Sequence, residues 1–182
     1  MRNERSDLEL IRGLQSGDQG AFEQIVRRYQ NRLFNFIFRY IGESQSAEDI
    51  TQEVFLKVWQ AAPSYEPRAE VSTWIFKIAY HLSLNELRRR KRYRIFHEAF
   101  CREEVHICVS EPTISRELES EIMQILDKLP ENQRAALLMR VNEGFSYREI
   151  SQILNTSVSA VESLIFRART CLRQYFSLSQ KE

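Results

Sequence analysis

Apolar residues recur every three or four positions along most of the chain, and the breaks fall at glycine, proline and capping residues. Phe22, Ile25, Val26, Tyr29, Leu33, Phe36, Ile37 and Tyr40 predict one long amphipathic helix, capped by Asp18 and stopped by Gly42. Ahead of it, Ser6 caps a helix over Asp7 to Ser16, and Gly17 ends it. Ser46 followed by Asp49 has the form of a capping box opening a third helix, AEDITQEVFLKVWQ, which Pro63 terminates. Its Ile50, Val54, Phe55, Val58 and Trp59 face inward; Gln52, Glu53, Lys57 and Gln60 face out. After the loop APSYEPRAEV, Ser72 or Thr73 caps a fourth helix with one buried face of Trp74, Ile75, Ile78, Ala79, Leu82 and Leu87. Four helices with short joins make one bundle over residues 1–95.

Beyond the bundle the period is lost, and residues 96–115, with Pro112 and an excess of acid, read as a flexible linker. A second helical domain, 116–182, begins with the repeat Leu118, Ile122, Ile125, Leu126 and Leu129. Pro130 then opens the helix ENQRAALLMRVN, which Gly144 stops. SYREISQILN forms a short helix with Ile150, Ile153 and Leu154 inward, and Asn155 suits a left-handed turn. The longer helix that follows turns Val158, Val161, Ile165, Ala168 and Leu172 inward and leaves Ser159, Glu162, Ser163, Phe166, Arg167 and Thr170 outside. Two helices, a tight turn and a free polar face describe a helix-turn-helix, whose second helix enters the DNA major groove. The fold class is therefore all-α, with two small helical domains joined by a linker.

Charge changes this picture locally. The whole chain carries a formal net charge of +1, yet residues 1–95 hold 16 Lys and Arg against 12 Asp and Glu, while residues 96–118 hold 2 against 5. The excess collects in ELRRRKRYR, where six of nine residues are basic, at the end of a helix with aromatic residues. Such a rod suits a polyanion, and nucleic acid is the first candidate. Three cysteines make no paired framework, so a reduced, cytoplasmic setting is expected. The N-terminus lacks the apolar run of a signal peptide, and no window approaches a membrane span.

AEDITQEVFLKVW, STWIFKIAYHLSLNELRRRKR and LPENQRAALLMRVNEGFSYREISQILNTSVSAVESLIFRAR together resemble the extracytoplasmic-function branch of the bacterial sigma-70 family, over Asp18 to Arg173. The resemblance implies a non-enzymatic subunit without catalytic residues or cofactors. It would bind core RNA polymerase, direct it to promoter DNA and initiate transcription. A region 2-like first domain would recognise and melt the minus-ten element, and a region 4-like second domain would read the minus-thirty-five element as duplex. An anti-sigma partner that withholds both faces is also implied.

Residue by residue, the resemblance places polymerase contact on Asp49, Gln52, Glu53 and Lys57, with a capping role for Asp49. The loop from Tyr65 to Ser72 matches the segment that captures a flipped base. His81 and Asn85 stand at promoter-reading positions. His81 replaces a common asparagine and would be partly charged below about pH 6.5. Arg88, Arg89, Arg90, Lys91 and Arg92 are assigned to phosphates, which set affinity and salt dependence rather than sequence. In the second domain the contact set is Arg148, Ser159, Glu162, Ser163, Phe166, Arg167 and Thr170. Arg167 has the geometry to pair bidentately with guanine, and Phe166 to pack on a thymine methyl. Glu162 and Leu164 stand where basic residues are common, so the minus-thirty-five sequence read differs from the commonest one.

Other readings explain less. A stand-alone helix-turn-helix regulator leaves the first bundle without a task, and a metal-dependent nuclease rests only on scattered acids. His97, Cys101, His106 and Cys108 fall within twelve residues, but their spacing fits no common zinc finger and no metal is assigned.

Overall fold

The computed structural model describes residues 5–100 and 122–179, with side chains described over 5–96 and 122–176. Helices α1 (Asp7–Gln15), α2 (Gln19–Ile41), α3 (Ser44–Ala61) and α4 (Val71–Phe100) form the first bundle. A 3-10 turn, Ala62–Ser64, follows α3. The second domain holds a helical segment at 122–127, labelled α5, then α6 (Glu131–Asn142), α7 (Tyr147–Leu154) and α8 (Val158–Ser179). No strand occurs among the described residues.

Local chemistry sets most boundaries. Ser6 and Glu9 close a reciprocal capping box over α1, and the Asp18 carboxylate accepts from the Ala21 amide at the start of α2. Gly42, at φ 78°, ends α2 in the left-handed region, where its amide bonds the Phe38 carbonyl at 2.8 Å. Asn155 plays the same part for α7 at φ 52°, and Ser146 with Glu149 supplies the capping box at that helix's other end. The Ser157 hydroxyl accepts from the Ala160 amide at 3.1 Å and so caps α8.

Several expected boundaries differ. The cap of α3 is Glu43, whose carboxylate takes the amides of Gln45 and Ser46, both at 2.8 Å. The helix therefore starts earlier than expected, Ser46 lies in its first turn, and Asp49 caps nothing. Helix α4 begins at Val71, so neither Ser72 nor Thr73 is a cap, and it continues past Arg94 to Phe100.

One apolar core runs through both domains. Phe36, Phe76, Tyr29 and Tyr40 lie fully inside, and Phe76 meets Phe145 of the second domain edge-on at 5.0 Å. Because α7 packs on α4, Phe76 and Tyr80 are buried on a side that the single expected stripe of α4 omits. Conversely, Trp59 is 39% and Val158 is 41% exposed, although both were expected inside.

Candidate nucleic-acid and protein interfaces

On α3 the outward residues Asp49, Gln52, Glu53 and Lys57 are all exposed on one flank of the bundle. Glu53 and Lys57 pair at 3.5 Å, and Gln45 donates to Asp49 at 3.4 Å, both in solvent. Between them stands Leu56, 55% exposed, and below it Trp59, whose ring meets Phe22 at 5.0 Å. This leaves a polar, partly paired face around an open leucine and the edge of Trp59. Sequence reading omitted Leu56; its spacing from Gln52 and Glu53, four and three residues on, was the available signal.

The loop leading into α4 is held from both sides. The Gln15 amide donates to the carbonyls of Ala62 at 3.0 Å and Tyr65 at 3.2 Å. The Tyr65 hydroxyl donates to the Ala69 carbonyl at 2.8 Å, and its ring lies 4.7 Å from that of Trp74. A cavity of about 780 Å³ opens behind this loop, walled by Arg28, Tyr29, Arg32, Arg68 and Glu70. Asp7 lines the same cavity and bonds both Arg28 and the Tyr29 hydroxyl.

Along α4, His81 and Asn85 are exposed on the same side, four residues apart. Partial burial, with the nearby charges of Lys77 and Arg88, pushes the His81 imidazole below its ordinary pKa of 6.5. Its charging is therefore shifted to lower pH than that of the free side chain.

The basic run divides. Arg88, Lys91 and Arg92 are exposed and form no ion pair among the described residues. Arg89 is exposed but lies in a fork on Glu86, at 2.8 and 2.9 Å. Arg90 is different: it binds Glu86 at 2.7 Å, Glu43 at 3.0 Å and the Ser46 hydroxyl. Its side chain is 33% exposed and ties the middle of α4 to the cap of α3. The Glu43 carboxyl is held down at about 2, first by the Ser46 hydroxyl, with the Ser46 and Gln45 amides and Arg90 adding and partial burial opposing.

In the second domain, Val161, Ile165 and Ala168 anchor α8 while Ser159, Glu162, Ser163, Phe166 and Arg167 are exposed. Phe166 is 70% open, and Arg167 has no ion-pair partner among the described residues. The hydroxyls of Ser163 and Thr170 donate to carbonyls one turn back, Ser159 at 3.1 Å and Phe166 at 3.0 Å, so both present lone pairs outward. Thr170 is half-buried, and Arg148 is exposed on α7. The tight turn through Asn155 sets α8 against α7 with its outer face free, as major-groove entry requires.

No group of three or more His, Cys, Asp or Glu arranged to hold a metal occurs among the described residues. The side chain of His97 and all of Cys101, His106 and Cys108 lie outside the described set. No helix among the described residues is long and apolar enough to cross a membrane.

The Sigma-70 region 2 family matches residues 25–93, and the Sigma-70, region 4 family matches residues 119–172. The ECF RNA polymerase sigma-E factor of Escherichia coli K12 is 32% identical over 182 residues, covering 94% of this chain and 95% of that protein. The ECF RNA polymerase sigma factor SigW of Bacillus subtilis 168 is 30% identical over 174 residues, covering 90% and 93%. CnrH, solved in complex with the cytosolic domain of CnrY, matches with a TM-score of 0.75 at 25% identity, covering 96% of this chain and 99% of that one. With both regions present in order on one all-helical chain, this protein belongs to the sigma-70 family, as an alternative sigma factor of its extracytoplasmic-function branch.

Proposed function

We propose that this sigma factor divides its work among three faces. The outer side of α3, with Asp49, Gln52, Glu53 and Lys57 around Leu56, docks core RNA polymerase. The loop at Tyr65 with His81 and Asn85 reads the opened minus-ten element, while Arg88, Lys91 and Arg92 hold its phosphates. Arg89 joins them once DNA competes with Glu86. Helix α8, through Ser159, Glu162, Ser163, Phe166, Arg167 and Thr170, reads the minus-thirty-five duplex, and Arg148 steadies the backbone beside it.

One observation carries this reading. A single chain presents an exposed cationic helix next to an anchored aromatic loop, and a helix-turn-helix that packs on that helix through α7 while its reading face stays unobstructed. The first suits unstacked bases and the second suits duplex, which are the two states of DNA in an opening promoter. The chain thus acts by positioning, without chemistry of its own, and works in the cytoplasm where polymerase and DNA are. A withholding protein partner fits the same faces, and the complex of CnrH with the cytosolic domain of CnrY supports looking for one.

Run-off transcription from a promoter library, with core polymerase in the presence and absence of this protein, tests the assignment. Expected are protein-dependent starts that share two elements one and a half to two helical turns apart. Tight binding of the protein alone to duplex, with no such starts, would instead identify a stand-alone regulator.

A further inference from the structure

Among the described residues, Leu87 is the last side chain of α4 to pack against the core. The helix itself runs on, and every residue from Lys91 to Phe96 is exposed. Three of these are large and apolar: Tyr93 is 69%, Ile95 56% and Phe96 63% exposed. Single open apolar residues are ordinary on a protein surface. Three within four positions, on a stretch with no core to fill, form a patch that marks a contact site.

The helical repeat fixes where this patch faces. His81, Asn85, Arg88, Arg92 and Phe96 follow one another at steps of four, three, four and four residues. At about 100° per residue they fall within one sector about 80° wide, bordered by Ile95 on one side and Tyr93 on the other. Phe96 therefore continues the face that presents His81 and Asn85, about 16 Å beyond Asn85 at about 1.5 Å per residue. Arg88 and Arg92 line the way between them, both exposed and without ion pairs among the described residues.

The mixture of cations and rings selects the occupant. An apolar protein surface laid on Phe96 would bury Arg92, one turn away, without a counter-charge, which is costly. A nucleic-acid strand satisfies both groups, since its phosphates pair with the guanidiniums and its bases offer flat apolar faces to a ring. In duplex those faces are hidden inside the stack. Only an unpaired base presents one.

We propose that Phe96, flanked by Tyr93 and Ile95, is a stacking platform for an unpaired base of the opened promoter, at the end of the reading face farthest from the Tyr65 loop. The inference rests on the sigma-factor function derived above. It adds stacking to a face whose other contacts are hydrogen bonds and charge. Every base has a flat face, so the platform stabilises the opened strand without selecting its sequence. Because the base must first leave the duplex, the platform acts only after opening.

Binding by the holoenzyme assembled with the full chain tests this. Phe96→Ala should weaken binding to a fork template, duplex upstream and unpaired through the minus-ten element, by at least about fivefold. Binding to the closed duplex, measured at low temperature, should not change. Phe96→Trp should restore fork binding, whereas Phe96→Leu, apolar but not flat, should not. Removing bases one at a time from the unpaired strand should locate an abasic position at which wild type and Phe96→Ala bind alike. Arg92→Ala should still weaken binding to that template, because its phosphates remain. Thermal melting of the Phe96 variants should match the wild type, since the ring is already open to solvent.

Full fork binding by Phe96→Leu, an equal loss on closed duplex, or no abasic position that removes the difference would each overturn the platform. Should the chain direct polymerase to no promoter, the sigma-factor reading falls, and the platform is decided on the full chain alone. A single-stranded oligonucleotide bound more tightly than its abasic counterpart, with that preference lost in Phe96→Ala, upholds it; equal binding of the two overturns it.

Discussion

Within the run Arg88–Arg92, Arg90 is tied to Glu86, Glu43 and Ser46 while Arg88 and Arg92 are exposed, and the proposed division of roles between them is open to direct measurement. Replacing Arg90 with Ala removes contacts to Glu86 at 2.7 Å, Glu43 at 3.0 Å and Ser46. Glu86 keeps Arg89 and Glu43 keeps the amides of Gln45 and Ser46, so neither acid is orphaned. The loss should therefore fall short of the 3–5 kcal/mol typical of a stranded buried charge and amount to about 1–2 kcal/mol, since both carboxylates stay partly hydrated. At about 2–4 °C per kcal/mol for a chain of this size, the melting temperature should fall by about 2–8 °C. Circular dichroism with temperature and urea reads this directly. The second assay is the salt dependence of promoter binding by the assembled holoenzyme, followed by fluorescence anisotropy. Arg88→Ala and Arg92→Ala should each reduce the slope of log affinity against log salt by about 0.7–0.9, with melting unchanged. Arg90→Ala should leave that slope alone. A stable Arg90→Ala protein with a reduced slope would refute the division and return Arg90 to the phosphates.

Three further outcomes are expected. Glu43 ionises at about 2 in the folded chain against an ordinary 4.5, so its contribution to stability is complete above about pH 4.5 and is lost as pH falls towards 2; Glu43→Gln should flatten that part of the acid unfolding curve. Arg167→Ala should cost about 1–3 kcal/mol of specific binding and relax selectivity at one base of the minus-thirty-five element, which competition among single-base variants of the promoter will reveal. Leu56→Asp should abolish association with core polymerase in a pull-down while shifting urea unfolding by less than about 0.5 kcal/mol, because the side chain is already 55% exposed; retained association would remove α3 as the docking face.

What the chain alone determines is everything decided within about one helical turn. Ser6, Asp18, Gly42 and Asn155 act on amides and carbonyls a few residues away, and the three- and four-residue apolar rhythm places Phe36, Ile75, Ile150 and Ile165 inside without knowledge of any partner. The all-helical class, the helix-turn-helix and the outward set on α8 were legible for that reason. The start of α3 was not, because glutamate at a cap is rarer than serine, and Ser46 stood nearby as the more familiar signal. Tertiary structure decided which of the outward groups are free. Arg90 meets a residue 47 positions earlier in the chain, Arg134 one that is 94 positions away and Arg32 one that is 111 away, and no periodicity encodes such a pairing. Phe76 and Tyr80 looked like the spare side of an amphipathic helix until the second domain covered them. A helix's own sequence states which residues avoid water; which surface does the covering depends on where the rest of the chain comes to lie.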